Sequence, residues 1–227
     1  MTDGENGGTA ERVRVLVVDD DPLVRSALRL VLGADPRVEL VGEAADGVEA
    51  RAAAASLHPD VVLMDVRMPR EDGITATAHL VAGPRPPAVV VLTTFDADET
   101  VLAAVRAGAS GFLLKDTPPE QILAAVHRVH AGEPMLSPSV TRTVMAAVAA
   151  AGGSARGDAA RARLEGLGER ERQVAVAIGR GLTNAEIAGE LYLSVATVKS
   201  YVTALLAKLD AANRVQIAIR VHDAGLL

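Results

Sequence analysis

Four short apolar runs in the first half of the chain each lead into a reactive side chain. VRVLVV precedes Asp19 and Asp20, VVLM precedes Asp65, AVVVL precedes Thr93, and GFLL precedes Lys115. Near-continuous Val/Leu runs of this length are the signature of strands buried on both faces, which is how parallel sheets are built. Stretches of helical periodicity separate them, at about 22–32, 47–56, 74–81, 97–107 and 119–130, and a weaker strand pattern lies at 38–43. Five β/α units in a row predict a doubly wound α/β domain, a five-stranded parallel sheet of flavodoxin-like order 2-1-3-4-5 with helices on both faces.

That architecture gathers the four run ends into one place, because ligands of open α/β sheets bind beyond the carboxyl ends of the strands. Three carboxylates at one sheet edge repel each other: two unit charges 4 Å apart cost about 4 kcal/mol at an effective dielectric near 20. A bound cation relieves this, and Mg²⁺ is the expected one, since it takes oxygen ligands and commonly bridges carboxylates to phosphate. Lys115 and the Thr93 hydroxyl then supply a point charge and a donor for that phosphate. Asp21 has a simpler explanation, as an N-cap ahead of Pro22. Asp65 and Lys115, each taken alone, read as an ordinary turn aspartate and a surface lysine; the argument rests on all four strand ends carrying this chemistry together.

Composition excludes several alternatives. The chain has 49% hydrophobic and 23% charged residues, as in soluble globular proteins. No apolar stretch approaches the roughly 20 residues of a membrane span. The start, MTDGENGGTAER, has neither the basic nor the apolar region of a signal peptide, so a cytoplasmic protein is expected. There is no cysteine, and the five histidines have no ligand-like spacing, which argues against structural zinc. Charge is unevenly divided: residues 1–136 hold 12 Lys+Arg against 21 Asp+Glu, and residues 137–227 hold 11 against 8. A basic half beside an acidic one points weakly to nucleic acid contact.

The expected organisation is a disordered tail over 1–11, an α/β domain over 12–133, a linker with a helix over 134–163, and an all-helical four-helix domain over 164–227. In the last of these, Thr183 and Glu186 have capping-box spacing, with Leu182 and Ile187 as the hydrophobic staple, so a helix starts near Asn184 and ends near Leu191. After a turn through Tyr192 and Leu193, Ser194 caps a second helix with Val198, Val202, Leu205, Leu206 and Leu209 on one stripe and Thr197, Lys199, Ser200, Thr203 and Lys208 opposite. Two helices joined by a tight turn fit helix-turn-helix geometry, though periodicity alone leaves a plain bundle open.

The residues also carry a resemblance. With Asp19-Asp20, DVRMPREDG, LTTFDAD and AGASGFLLKD, the segment 13–131 resembles the receiver domain of two-component response regulators. The resemblance implies that Asp65 is the phosphoacceptor, served by a sensor histidine kinase. It implies that Asp19, Asp20, Asp65 and the Arg67 carbonyl hold Mg²⁺, that Lys115 and Thr93 engage the phosphoryl group, and that Phe112 is the aromatic that turns inward on activation. By the same analogy Arg67 and Phe95 set the lifetime of the phosphorylated state. LxxRERxV, GLTNAEIA, LxLSxxTVK and KLDAANR resemble the LuxR-type helix-turn-helix of NarL/FixJ regulators over about 167–221. This places Lys199, Ser200 and Thr203 toward the major groove and Thr183, Asn184 and Thr197 toward phosphates. Gly168 stands where that family usually has Thr, and Tyr201 where His is common. The last helix, with Val215 and Ile219, Ile217 and Val221 as apolar pairs, is by resemblance a dimer contact and by simple packing a cap on the four-helix core.

The expected function is that of a transcription factor, not an enzyme: phosphorylation at Asp65 switches a homodimer that binds double-stranded DNA. A regulator of the same architecture that needs no phosphorylation is the first alternative, disfavoured by the intact Asp, Thr and Lys set. An aspartyl-phosphate phosphatase is the second, disfavoured because such sites need an Asp two residues after the nucleophile, where this chain has Arg67.

Overall fold

The computed structural model describes residues 12–94, 98–136, 140, 161 and 163–227. The expected tail at 1–11, Phe95 and almost all of the expected linker helix at 137–151 lie outside these residues. The first domain runs β1 (Val13–Val18), α1 (Pro22–Gly33), β2 (Val38–Ala44), α2 (Gly47–Leu57), β3 (Val61–Asp65), α3 (Gly73–Val81), β4 (Ala88–Thr93), α4 (Asp98–Ala107), β5 (Gly111–Leu114), α5 (Pro119–His130) and β6 (Met135–Leu136). The sheet is parallel throughout in the order β2-β1-β3-β4-β5-β6. The five expected strands take the expected order. The sixth, two residues on the outer edge of β5, is too short to leave a period in the sequence.

Alternation along the strands divides the core in two. Leu16, Val18, Val62, Met64, Val89, Val91 and Phe112 pack on one face with Ala50, Ala76, Leu80, Val101 and Val105 of α2, α3 and α4. On the other face Val15, Val17, Leu63, Val90, Leu92 and Leu113 meet Leu28 and Leu32 of α1 and Ile122, Val126 and Val129 of α5. Each of the first three helices is started by an aspartate whose carboxylate accepts from free N–H groups of the first turn: Asp21 from Leu23, Asp46 from Glu49, and Asp72 from Ile74 and Thr75.

The second domain contains α6 (Glu169–Gly179), α7 (Asn184–Leu191), α8 (Val195–Lys208) and α9 (Arg214–Asp223). Its core is Leu164, Leu167, Val174, Ile178, Ile187, Val198, Val202, Leu205, Leu209, Ile217 and Val221. The capping box forms as the spacing requires: Glu186 N–H donates to Thr183 Oγ1 at 3.2 Å and Thr183 N–H to Glu186 Oε2 at 2.7 Å. Ser194 caps α8 by accepting from Thr197 N–H at 3.0 Å. At α6 only half of such a box exists, because Gly168 has no side chain; its N–H donates to Glu171 Oε2 at 2.9 Å. Among the described residues no helix is long and apolar enough to cross a membrane.

Candidate functional site

Parallel pairing brings the ends of β1, β3, β4 and β5 side by side, and their side chains meet there. Asp19 and Asp65 are buried, Asp20 is exposed, and one carboxylate oxygen from each lies within 4.8 Å of the others. Lys115 Nζ sits 2.6 Å from Asp19 Oδ2 and 3.1 Å from Asp65 Oδ1, so one ammonium bridges two of the three acids. Thr93 is buried at the end of β4, and its carbonyl accepts from Lys115 N–H at 2.8 Å, tying β5's reactive end to β4's. The loop after β1 is held open: Asp21 N–H donates to Asp19 Oδ1 at 3.0 Å, and Arg25 donates to the Asp19 carbonyl at 2.6 Å while pairing with Glu43 at 3.2 Å.

Burial pushes the Asp65 carboxyl above its ordinary range; Lys115 opposes that shift and the Asp19 charge adds to it. Burial pulls on Lys115 in the neutral direction, but hydrogen bonds and charges from Asp19 and Asp65 outweigh it and hold the ammonium above its ordinary value. Three acids against one ammonium is an anion-rich pocket whose donor chemistry fits a hard divalent cation with oxygen ligands. Arg67 is exposed in the loop after β3.

That loop is fixed by ion pairs: Arg70 reaches Asp46 and, at 2.6 Å, Glu49, and Arg51 meets Glu71 at 3.0 Å. Gly73 matters most for its path. A Cβ there would lie 1.8 Å from the Asp65 carbonyl oxygen, so only glycine lets α3 start against the strand end that carries Asp65. Phe112 is 1% exposed, inside the core with Val91, Val101 and Val105. The inward position that the resemblance reserves for activation is the one it holds here.

The six residues expected at DNA separate into three groups. Lys199, Ser200 and Thr203 form one exposed stripe of α8. Thr183 and Thr197 are half-buried and their hydroxyls are engaged, Thr183 with Glu186 and Thr197 with Ser194 at 2.8 Å. Asn184 departs from the expectation. It is 2% exposed, its Nδ2 donates to the Ala131 carbonyl at 2.9 Å, and its Oδ1 accepts from Arg214 at 2.6 Å. Rather than facing a phosphate, it satisfies the open C-terminal turn of α5, a group the sequence cannot show to be nearby. Tyr201 packs half-buried against the helical core instead of joining the stripe.

Asn184 belongs to a contact between the two domains that the sequence reading missed. Asn213 Nδ2 donates to the carbonyls of Val105 at 3.3 Å and Ala109 at 2.8 Å, and Gln216 Nε2 donates to Val105 at 3.0 Å and Arg106 at 3.4 Å. The second domain thus caps the C-terminus of α4, where helix carbonyls have no partner of their own. Val215 is buried in the first domain's cluster and Ile219 packs against it, whereas Ile217 and Val221 face their own core. Gly108 allows the close approach: a Cβ there would meet the Ala212 Cβ at 2.9 Å. Arg214, 7% exposed, donates to Asn184 and to the Leu182 carbonyl; burial pulls its pKa down against the charge of Glu133. An Asn before a helix signals an N-cap, a role Asn213 also fills by accepting from Gln216 N–H at 2.9 Å. Nothing local marks Arg214, since arginine is by default a surface residue.

Comparison with known proteins adds to this geometry. The family described as "Response regulator receiver domain" matches residues 15–127, and "Bacterial regulatory proteins, luxR family" matches residues 165–221. The chain is 38% identical to the transcriptional regulatory protein LiaR of Bacillus subtilis over 92% of its length and 97% of that protein. It is likewise 38% identical to the DNA-binding transcriptional activator DevR/DosR of Mycobacterium tuberculosis, covering 91% and 93%. Among solved structures, the response regulator ChrA of a heme-sensing two-component system is 34% identical, covers 95% of this chain and 99% of its own, and superposes with a TM-score of 0.51.

Proposed function

From the chain's membership of the response regulators that join a receiver domain to a LuxR-type DNA-binding domain, we propose that phosphorylation of Asp65 releases the second domain from the first and so controls DNA binding. The observation that carries this reading is the convergence of Asp19, Asp20 and Asp65 within 4.8 Å around one lysine. The donor is a phosphohistidine of a sensor kinase. An Asp65 carboxylate oxygen attacks phosphorus, the O–P bond forms as the P–N bond breaks, and the electron pair of that bond stays with the departing imidazole. Asp19, Asp20 and Asp65, with the Arg67 carbonyl, would hold Mg²⁺, which would supply charge neutralisation.

Lys115 already contacts the oxygen-bearing end of Asp65 and is placed to pair with the new phosphoryl oxygens, while the Thr93 hydroxyl is at the adjacent strand end to donate to them. Phosphorylation adds about −1.5 to −2 charges, and Lys115 directly follows β5, three residues from Phe112 and bonded to the end of β4. The same cluster that holds Phe112 holds Val105 and Val215, which gives a packed route from the site to α9. α4 carries Val105 and the carbonyls that Asn213 and Gln216 hold, so a shift of α4 would reach α9.

Docking and pairing compete. While Val215 and Ile219 lie on the receiver, α9 cannot offer them to a second copy. A groove between α3, α4 and the C-terminal end of α8, lined by Val81, Arg106, Leu206 and Asp210, further places the receiver beside the DNA-reading helix. Phosphorylation acts by favouring the undocked state, and only by its differential affinity for the two; the undocked chain forms the homodimer that binds duplex DNA. The reading is tested by incubating the protein with Mg²⁺ and a small phosphodonor. Stoichiometric labelling that Asp65→Asn and chelation both abolish is expected, and undiminished labelling of the Asn variant refutes it.

A further inference from the structure

We propose that the N-terminal end of α8 selects thymine in its DNA site through the 5-methyl group, using Val195 and Ala196. This rests on α8 being the DNA-reading helix of the LuxR-type domain, and it adds which base that helix distinguishes and by what contact.

The exposed stripe of α8 is Ala196, Lys199, Ser200 and Thr203, with Val195 beside it at the first helical position. Its polar members are less versatile than their types suggest. Ser200 Oγ donates to the Ala196 carbonyl at 3.2 Å and Thr203 Oγ1 to the Lys199 carbonyl at 3.1 Å. While these bonds are made, both hydroxyls turn only lone pairs outward. They match the amino groups of cytosine or adenine, and meet O4 of thymine as acceptor against acceptor. Lys199 supplies the donor of the stripe and suits guanine O6 and N7. The polar groups of this stripe therefore give thymine no contact of its own, since Lys199 donates to thymine O4 as well as to guanine O6.

The apolar end does. Val195 is 44% exposed and Tyr192, on the preceding turn, 96% exposed. Both sit at the end of the helix whose first residues reach base edges in helix-turn-helix complexes. Val195 and Ala196 offer methyl groups and no hydrogen-bonding side-chain atom, and the one major-groove feature that rewards such a surface is the thymine methyl. The polar cap beneath them is self-contained, since Ser194 and Thr197 bond each other at 2.8 Å. Burying one methyl group against this surface predicts about a fourfold preference over the same base without it.

The test uses the full chain, phosphorylated by a small phosphodonor. Bound sequences are selected from a random duplex pool, and each thymine of the selected site is then replaced in turn by deoxyuridine, which differs only by the methyl group. At one thymine per half-site, substitution should weaken binding about fourfold for the wild type and clearly less for Val195→Ser, whose fold is checked by circular dichroism. Ala196→Gly serves as a second variant. Selective binding with no deoxyuridine effect, or with an effect that both variants retain, overturns the inference and leaves the DNA-binding reading standing. Absence of any sequence-selective binding overturns that reading as well.

Discussion

Gln216→Glu separates the stability of α9 from its docking on the receiver. The side chain works at both ends: Oε1 accepts from Ala212 N–H at 3.0 Å, closing the start of α9, while Nε2 donates to the Val105 carbonyl at 3.0 Å and the Arg106 carbonyl at 3.4 Å. Glutamate keeps the first contact and places a negative charge near the N-terminus of α9, which is favourable by about 0.3–1 kcal/mol. The second contact inverts. One good hydrogen bond, worth about 1 kcal/mol, is lost. A carboxylate oxygen then faces the negative end of α4, where half a charge at 4 Å costs about 2 kcal/mol at an effective dielectric of 20. Gln216 is half-buried, so solvent screening reduces that figure, and a total near 2 kcal/mol shifts the docked-to-open ratio roughly thirtyfold. Gln216→Ala, which loses the interdomain bond and the Ala212 contact but adds no charge, shifts it about fivefold. Paired fluorophores on the two domains read the distance, and binding of the unphosphorylated protein to its DNA site reads the consequence. An unchanged distance and unchanged affinity in Gln216→Glu, with the helix content of wild type, would refute the claim that this clasp holds the domains together.

Three further outcomes follow from particular residues. Gly73→Ala forces α3 away from the Asp65 carbonyl, and the overpacking should destabilise the receiver by about 1–3 kcal/mol, visible in thermal melts, and slow labelling of Asp65; a melt and a rate equal to wild type would show that the loop has slack the structure lacks. Asp35 is held far below the ordinary carboxylate range first by Arg37, 2.7 Å away, and then by His127 at 2.8 Å. Its folded pKa is depressed, so its stabilisation is complete above the ordinary Asp value of about 3.9 and is lost as pH falls toward the folded value; Asp35→Asn should flatten the acid limb of a stability-against-pH curve, and an unaltered limb would contradict this. Gly108→Leu, whose Cβ would meet Ala212 and the receiver's own Val81 at 2.9 Å and sit at φ +101°, should open the domains as Gln216→Glu does and also lower the receiver's melting temperature, measured by the same fluorophore pair and by thermal melts.

The receiver fold was legible because β1, β3, β4 and β5 are near-continuous apolar runs and Asp21 before Pro22 marks the start of α1. The strand ends then placed Asp19, Asp65, Thr93 and Lys115 by topology alone. The helix-turn-helix was legible from the Thr183 and Glu186 box and the Val198 to Leu209 stripe. What the sequence could not show is any contact whose partner is a main-chain carbonyl of another domain. Asn184, Asn213 and Gln216 each use a side-chain amide for that purpose, and an amide carries no mark of which carbonyl it will meet. Val215 and Ile219 have the same periodicity whether they cover a core, a receiver or a second copy. Phe112 is likewise apolar in a strand whichever way it points.

The central claim, that a phosphoryl group on Asp65 loosens the contact made by Asn213 and Gln216, is tested most directly by the interdomain fluorophore distance before and after adding Mg²⁺ and a small phosphodonor. The account predicts that the distance lengthens in wild type in step with Asp65 labelling and stays fixed in Asp65→Asn. A fully labelled wild-type protein whose distance does not change would contradict it.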